Sequence, residues 1–378
     1  MRIAYVSVDP GVPVFGTKGA SVHVQEVVRE LRLRGHEVSV YTARRGDEAP
    51  ADLSALPLEE FPVAVRDPAG RERAQREASA EIVRRLRTAP GGVDLVYERY
   101  SLFSTVLARL HGAAGVPGVL EVNAPLIDEQ RTHRTLVDET GALRALRAQA
   151  AAASVTVCVS EPVRRWVAVR APDGRSSTVP NGVSVRRFTP RPEEPGIPVA
   201  TFVGTLKPWH GVDDLLRAAS LARAPWRLRI IGDGPRRAAL ERLAARLGLE
   251  VDFRGAVRPA DMPAQLAGSA IGVAPYPRTG SGNDQYFSPL KVYEYLAAGL
   301  PVVASGVGQL PGILGRLGVL VAPSDPAALA GALDALAVDP RRRAELGRAG
   351  RALAVERHSW TGVVERIMRL SGAEAAHG

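Results

Sequence analysis

Three lysines, Lys18, Lys207 and Lys291, stand among 49 lysines and arginines in this chain of 378 residues. Arginine is a wide planar fork and lysine a compact point charge on a flexible stem, so lysine persists where the fork does not fit. All three lie in Gly- or Pro-containing segments at expected strand-to-helix turns, although so few residues also fall there by chance. Ser288-Pro-Leu-Lys-Val-Tyr-Glu-Tyr-Leu-Ala-Ala-Gly299 is the strongest such segment. Serine is a preferred N-cap, proline suits the first helical position, and glycine ends a helix. The pattern predicts a helix from about residue 289, with amides and dipole facing an anion such as phosphate. Ser288, Pro289 and Leu290 then line the helix start, Lys291 adds a charge, and Glu294 reaches a pair of sugar hydroxyls. The plainer alternative is a capped helix with a solvent-facing lysine and glutamate.

Gly204-Thr-Leu-Lys-Pro-Trp-His-Gly211 is a second loop before a helix. Its glycines let the backbone approach a ligand closely. Gly204, Thr205, Lys207 and His210 would meet a diphosphate while Trp209 shields it; the alternative is an ordinary loop with a core tryptophan. Gly16-Thr-Lys-Gly-Ala-Ser21 carries Gly16, Lys18 and Gly19, with His23 just beyond, and is set to bind phosphate or close over an acceptor. Gly232-Asp-Gly-Pro235 is a weaker turn signal. None of these loops has the dinucleotide or P-loop glycine spacing, and there is no G-x-S-x-G or H-E-x-x-H motif. His36, His111, His133, His358 and His377 have no obvious ligand partner nearby and read as structural or surface residues.

The elements that must carry these loops follow from hydrophobic periodicity. Residues 3–8 read as a buried strand, 9–19 as a loop, Val24, Val27, Val28 and Leu31 as one helix face, and 38–41 as the next strand. Further strands are expected at 95–97, 118–122 and 155–159. A Pro-rich stretch at 189–198 reads as a linker. A second strand–helix series follows, with strands at 199–203, 227–231, 251–253, 270–274, 301–304 and 318–321. The fold class is therefore α/β: two Rossmann-like, doubly wound parallel-sheet domains facing a cleft. The expected domains are 1–182, 183–358, and a final helix at 359–378 that crosses back to the first.

Bulk composition narrows the function. Hydrophobic residues make up 46% and charged residues 24%, an ordinary globular balance. Cys158 is the sole cysteine, which excludes an intramolecular disulfide and a cysteine zinc site. A reducing, cytoplasmic setting is expected, without signal peptide or membrane span. The net charge of +9 is spread out and interleaved with acids, as in Arg71-Glu-Arg-Ala-Gln-Arg-Glu77, so no nucleic-acid partner is expected.

Taken in order, these segments resemble the retaining glycosyltransferases of family 4, with the GT-B fold. The likeness rests on Arg34-Gly-His-Glu-Val38 after the first helix, Val179-Pro-Asn-Gly-Val183 with Phe188 and Pro190, and Val203 through Val212. Ile231-Gly-Asp-Gly-Pro235, Phe287 through Gly299, Pro301-Val-Val-Ala-Ser305 and Ser359-Trp360 complete it. The resemblance implies a metal-independent hexosyltransferase whose C-terminal domain binds a nucleotide diphosphate sugar, UDP favoured and GDP possible, and whose N-terminal domain binds the acceptor. It implies that Lys207 contacts the diphosphate, Glu294 the ribose, and that Lys207, Asn123 and Glu294 serve the reaction. It further implies retention of configuration by front-side attack, with the departing phosphate taking the acceptor proton.

Three segments depart from the family pattern. A second acid is expected eight positions before Glu294, and Tyr286 stands there, with Asp284 and Gln285 beside it as candidate sugar contacts. Thr205 and His210 occupy the places of the family's Arg…Lys pair. Glu121-Val-Asn-Ala-Pro125 stands where many relatives carry a histidine, leaving Asn123 to hold a hydroxyl. Loops at 11–19 and 124–134 are expected to shape the acceptor site. Asp128, Glu129, Arg131, His133 and Arg134 favour a polar small molecule or glycan over a lipid. The alternatives are a sugar-nucleotide epimerase on the same fold and a non-catalytic nucleotide-sugar-binding protein.

Overall fold

Short runs of aliphatic and aromatic residues that are apolar on both faces make strands for the middle of a covered parallel sheet. The computed structural model, which describes residues 1–65, 67–278 and 285–373, has two such sheets. The first contains β1 (Arg2–Ser7), β2 (Glu37–Thr42), β3 (Leu58–Glu60), β4 (Leu95–Arg99), β5 (Gly118–Val122), β6 (Val155–Cys158) and β7 (Ser176–Thr178), in the order 3-2-1-4-5-6-7. The second contains β8 (Val199–Val203), β9 (Arg227–Ile231), β10 (Val251–Gly255), β11 (Ile271–Ala274), β12 (Val302–Ser305) and β13 (Val319–Val321), in the order 10-9-8-11-12-13. Neighbours in both sheets pair parallel.

The chain divides into two compact units: Met1–Pro180 together with the stretch from Thr361 on, and Asn181–Trp360. The helix Trp360–Ser371 adds to the first unit from Thr361, whose hydroxyl donates to Glu30 at 2.9 Å. In each sheet the strand order reverses once, between β1 and β4 and between β8 and β11. Ligands of open parallel sheets bind beyond the strand carboxyl ends at this reversal.

Alternation along each strand splits the second unit's core into two layers. Ala200, Phe202, Leu228, Ile230, Ile271 and Val273 face helices Val212–Ser220, Arg237–Arg246 and Pro326–Ala337. Val203, Ile231, Ala274, Val302 and Ala304 face helix Leu290–Ala297 and its neighbours. Each fully buried aliphatic or aromatic side chain contributes about 1.5–3 kcal/mol.

Helix starts differ in one respect that matters below. Asp67, Asp138, Ser160, Asp325 and Asp339 each cap a helix by accepting from a backbone N–H three residues on. Helices Gly19–Leu33 and Leu290–Ala297 have no side-chain cap. Ser288 is not the N-cap its position suggests. Pro289 occupies that place, and Ser288 Oγ accepts from the Asn181 amide at 3.0 Å instead. The expected acceptor loop at 124–134 is also corrected. It holds the helix Leu126–His133, and Asp128 is turned to Trp166 Nε1 (2.8 Å) and Arg170 (2.9 Å).

Candidate active site

Helix Leu290–Ala297 is fixed by Tyr295. Its buried hydroxyl accepts from the Val203 amide at the end of β8 (2.7 Å) and donates to the Val273 carbonyl in β11 (3.3 Å). The helix is thereby tied to the two strands that flank the reversal. Sequence reasoning gave Tyr295 no such role, because an aromatic residue inside a helix carries no sign of its polar tip.

Lys291, in the first turn, is buried rather than solvent-facing, at 8% exposure. Among the described residues its Nζ has no hydrogen-bond partner. It lies over the rings of Phe202 (4.2 Å) and Tyr276 (5.0 Å). Burial pushes its amine down to about 7, against the pull of nearby Glu294. Gly204 makes room for it: a Cβ added there would come 2.8 Å from Nζ. Gly204 and Gly232 have φ of 151° and 143°, and a Cβ on Gly232 would strike the Gly204 carbonyl. Only glycine lets these two strand ends approach so closely.

Lys207 precedes the short turn Pro208–His210, and its Nζ sits over Trp209, 4.6 Å from the ring centroid. Trp209 is half exposed, so it is not a core tryptophan. His210 supplies no charge at neutral pH. Burial, then the Lys291 charge, hold it down to about 3, and its Nδ1 bonds the Thr205 carbonyl. A neutral ring donates that Nδ1–H, so His210 fastens the loop beside Lys207. Gly232, after β9, thus lies against Gly204, which opens the loop carrying Thr205, Lys207 and His210; Lys291 reaches Gly204 from the adjoining helix, with Glu294 on that helix and Ser288 and Pro289 just before it. Gln285 is buried and donates weakly to the Pro277 carbonyl (3.4 Å), while Tyr286 is partly exposed. Asp284 lies outside the described residues.

In the first unit, Ser7, Arg99 and Glu121 lie side by side in register on β1, β4 and β5. Glu121 is buried against His23 Nε2 and accepts from Asn123 Nδ2 at 2.7 Å. Burial alone would raise this carboxyl; His23, Arg99 and Asn123 instead hold it down to about 2. Asn123 therefore spends its amide on Glu121, and its Oδ1 makes no hydrogen bond among the described residues. His23 lies on helix Gly19–Leu33, with Gly19 as its first residue and exposed Lys18 just before it. Gln25 Nε2 donates to the carbonyls of Val14 (2.9 Å) and Gly16 (3.2 Å), which holds the preceding loop. The Glu121–His23 pair was invisible in the sequence because 98 positions separate its members.

Residues 17–187 match the family described as Glycosyltransferase Family 4, and residues 197–339 match Glycosyl transferases group 1. A D-inositol 3-phosphate glycosyltransferase of Acidothermus cellulolyticus is 30% identical, covering 97% of this chain and 89% of that protein. The chain belongs to glycosyltransferase family 4. A GDP-mannose-dependent monoacylated alpha-(1-6)-phosphatidylinositol monomannoside mannosyltransferase of Corynebacterium glutamicum is 33% identical to this family 4 chain. That match covers 52% of this chain and little over half, 56%, of the relative. Sucrose-phosphate synthase from Thermosynechococcus elongatus superposes with a TM-score of 0.75 at 22% identity, covering 100% of each chain. Anabaena HepE in complex with UDP does so at 0.72 and 20%, covering 98% of this chain and 99% of the other. At these identities the likeness is one of fold, and the fold is GT-B.

No described helix is long and apolar enough to cross a membrane. No group of three or more described His, Cys, Asp or Glu residues is placed to hold a metal ion.

Proposed function

We propose that this protein transfers a hexosyl group from a nucleoside diphosphate sugar to a hydroxyl of a polar acceptor, with retention of configuration and without a metal. One observation carries the donor half: a buried ammonium, Lys291, with no hydrogen-bond partner among the described residues, set against a glycine turn and an uncapped helix start. A diphosphate satisfies all three at once through free N–H groups, the helix dipole and a point charge. In the reaction, Lys207, Lys291 and the helix start stabilise the charge that grows on the leaving diphosphate, where such contacts matter most. Glu294 holds the ribose. The departing phosphate takes the acceptor proton, so no protein nucleophile is needed.

The acceptor half is assigned to the first unit, with Asn123 Oδ1 and the Glu121 carboxylate as hydroxyl acceptors. The relatives' names support a polyol: one set carries D-inositol 3-phosphate and the other phosphatidylinositol monomannoside. Their names and structures divide between GDP-mannose and UDP, so both donors belong in the test. UDP-glucose and GDP-mannose are each incubated with a panel of cyclitols and sugars, and the anomeric configuration of any product is read by NMR. Transfer with retention is expected. Inversion sinks the mechanism; an epimer formed without acceptor makes the protein an epimerase; binding without turnover across the panel makes it a binding protein.

A further inference from the structure

A lysine that is buried with no hydrogen-bond partner among the described residues changes its protonation when an anion arrives. We infer that capture of the donor diphosphate is coupled to uptake of one proton by Lys291. This rests on the donor reading above and adds to it a built-in pH dependence of donor affinity.

The geometry carries the argument. Lys291 Nζ faces the aromatic rings of Phe202 and Tyr276 and the bare α-carbon of Gly204, and none of these can pair with an ammonium by hydrogen bonding. Among the described residues the titratable groups around it are few. On its own helix are Glu294, which favours the charged form, and Tyr295, whose hydroxyl is committed to β8 and β11. From the loop after β8 come Lys207, and His210, which Lys291 helps to keep uncharged. From the segment after β11 comes Tyr276, whose phenol burial pushes up. From the packed helix Pro340–Arg357, Arg351 donates to the Ala297 carbonyl, at the far end of the lysine's helix. Desolvation therefore outweighs the one carboxylate among these described groups that favours the charged form, and the amine is held down to about 7. A bound diphosphate places two negative charges beside it and returns it toward its ordinary range near 10.4. The proton comes from solvent, and the product is an ammonium–phosphate ion pair.

The test is calorimetric titration of the full chain with UDP-glucose and with GDP-mannose at about pH 8, in HEPES and in Tris. These buffers differ widely in ionisation enthalpy. The diphosphate of a nucleotide sugar is esterified at both ends and does not titrate near neutrality, so protons taken up belong to the protein. Uptake of close to one proton is expected, with affinity falling about tenfold per pH unit from pH 8 to 9.5. Lys291→Met removes the titrating amine at similar side-chain length, and is expected to bind more weakly, with no uptake and a flat profile. A melting curve of the Met variant confirms that it folds. Binding by the wild type without proton uptake overturns this inference and leaves the donor reading standing. The same uptake in wild type and Met variant also overturns it, by placing the proton elsewhere. Failure of both nucleotide sugars to bind at any pH removes the donor reading and this inference with it.

Discussion

The carboxyl ends of the two sheets hold charge in opposite ways. In the first unit Glu121 is locked to His23 and Asn123, and the pairing is strong enough to keep a buried carboxyl ionised down to about pH 2. In the second unit Lys291 is buried without a hydrogen-bond partner among the described residues and gives up its charge near neutrality. A paired charge supports the fold; an unpaired one opposes it and is retained for what it binds. The same kind of substitution, removal of one buried charge, should therefore have opposite effects on stability in the two units.

The largest effect expected is on turnover. Lys207→Ala and Lys291→Met should each lower kcat/KM by about 10²–10³, the cost of removing one contact that grows in the transition state. An exposed arginine changed to alanine, such as Arg258→Ala, serves as the control. Normal kinetics in both lysine variants would erase the contrast between the units.

Next comes the paired charge. Glu121→Ala leaves His23 and Arg99 without their carboxylate and should destabilise the protein by about 3–5 kcal/mol in urea unfolding. Its pH dependence has a definite sign. Because the folded-state carboxyl titrates lower than an unfolded one, its stabilisation is full above about pH 4.5 and is lost as pH falls toward 2. The variant should show a flatter acid limb; an unchanged one would mean that the pair is ornamental.

The unpaired charge predicts the reverse. Lys291→Met should raise the donor-free stability by about 1 kcal/mol at neutral pH, read in urea unfolding. Between about pH 7 and 10.5 the unfolded chain binds more protons at this lysine than the folded one, so the wild type gains stability as pH rises through that window. The advantage of the methionine variant should therefore shrink toward pH 10. A destabilised Met variant at pH 7 would show that Lys291 is structural.

The smallest effect concerns Lys207. Trp209→Ala removes an exposed cation–π contact worth about 0.5–1 kcal/mol. It should weaken donor binding by several-fold at most, measured by titration with nucleoside diphosphate.

The sequence disclosed the parts of this molecule that depend on local pattern. Strands such as β1, β5, β8 and β9 were legible because each is a short, mainly aliphatic run bounded by turn residues. The edge strands β3 and β7 were not, since Leu58–Glu60 and Ser176–Thr178 are too short to show a period. Helix Leu126–His133 read as a loop because only Ile127 in it is buried, so no apolar stripe recurs. At the site, residue types gave Lys207, Lys291 and their glycine turn. They did not give the burial of Lys291, because a lysine in a first helical turn is ordinarily exposed. They did not give Ser288 as the partner of Asn181, a contact across 107 positions, in place of the local cap.

Tyr295 has a consequence for how binding energy divides. Its hydroxyl holds the helix against the ends of β8 and β11 before any ligand is present. The ordering of that helix is thus charged to folding rather than to association. Loosening the phenol's grip would move the same loss of freedom into the binding step, where a calorimeter would register it as a more unfavourable entropy.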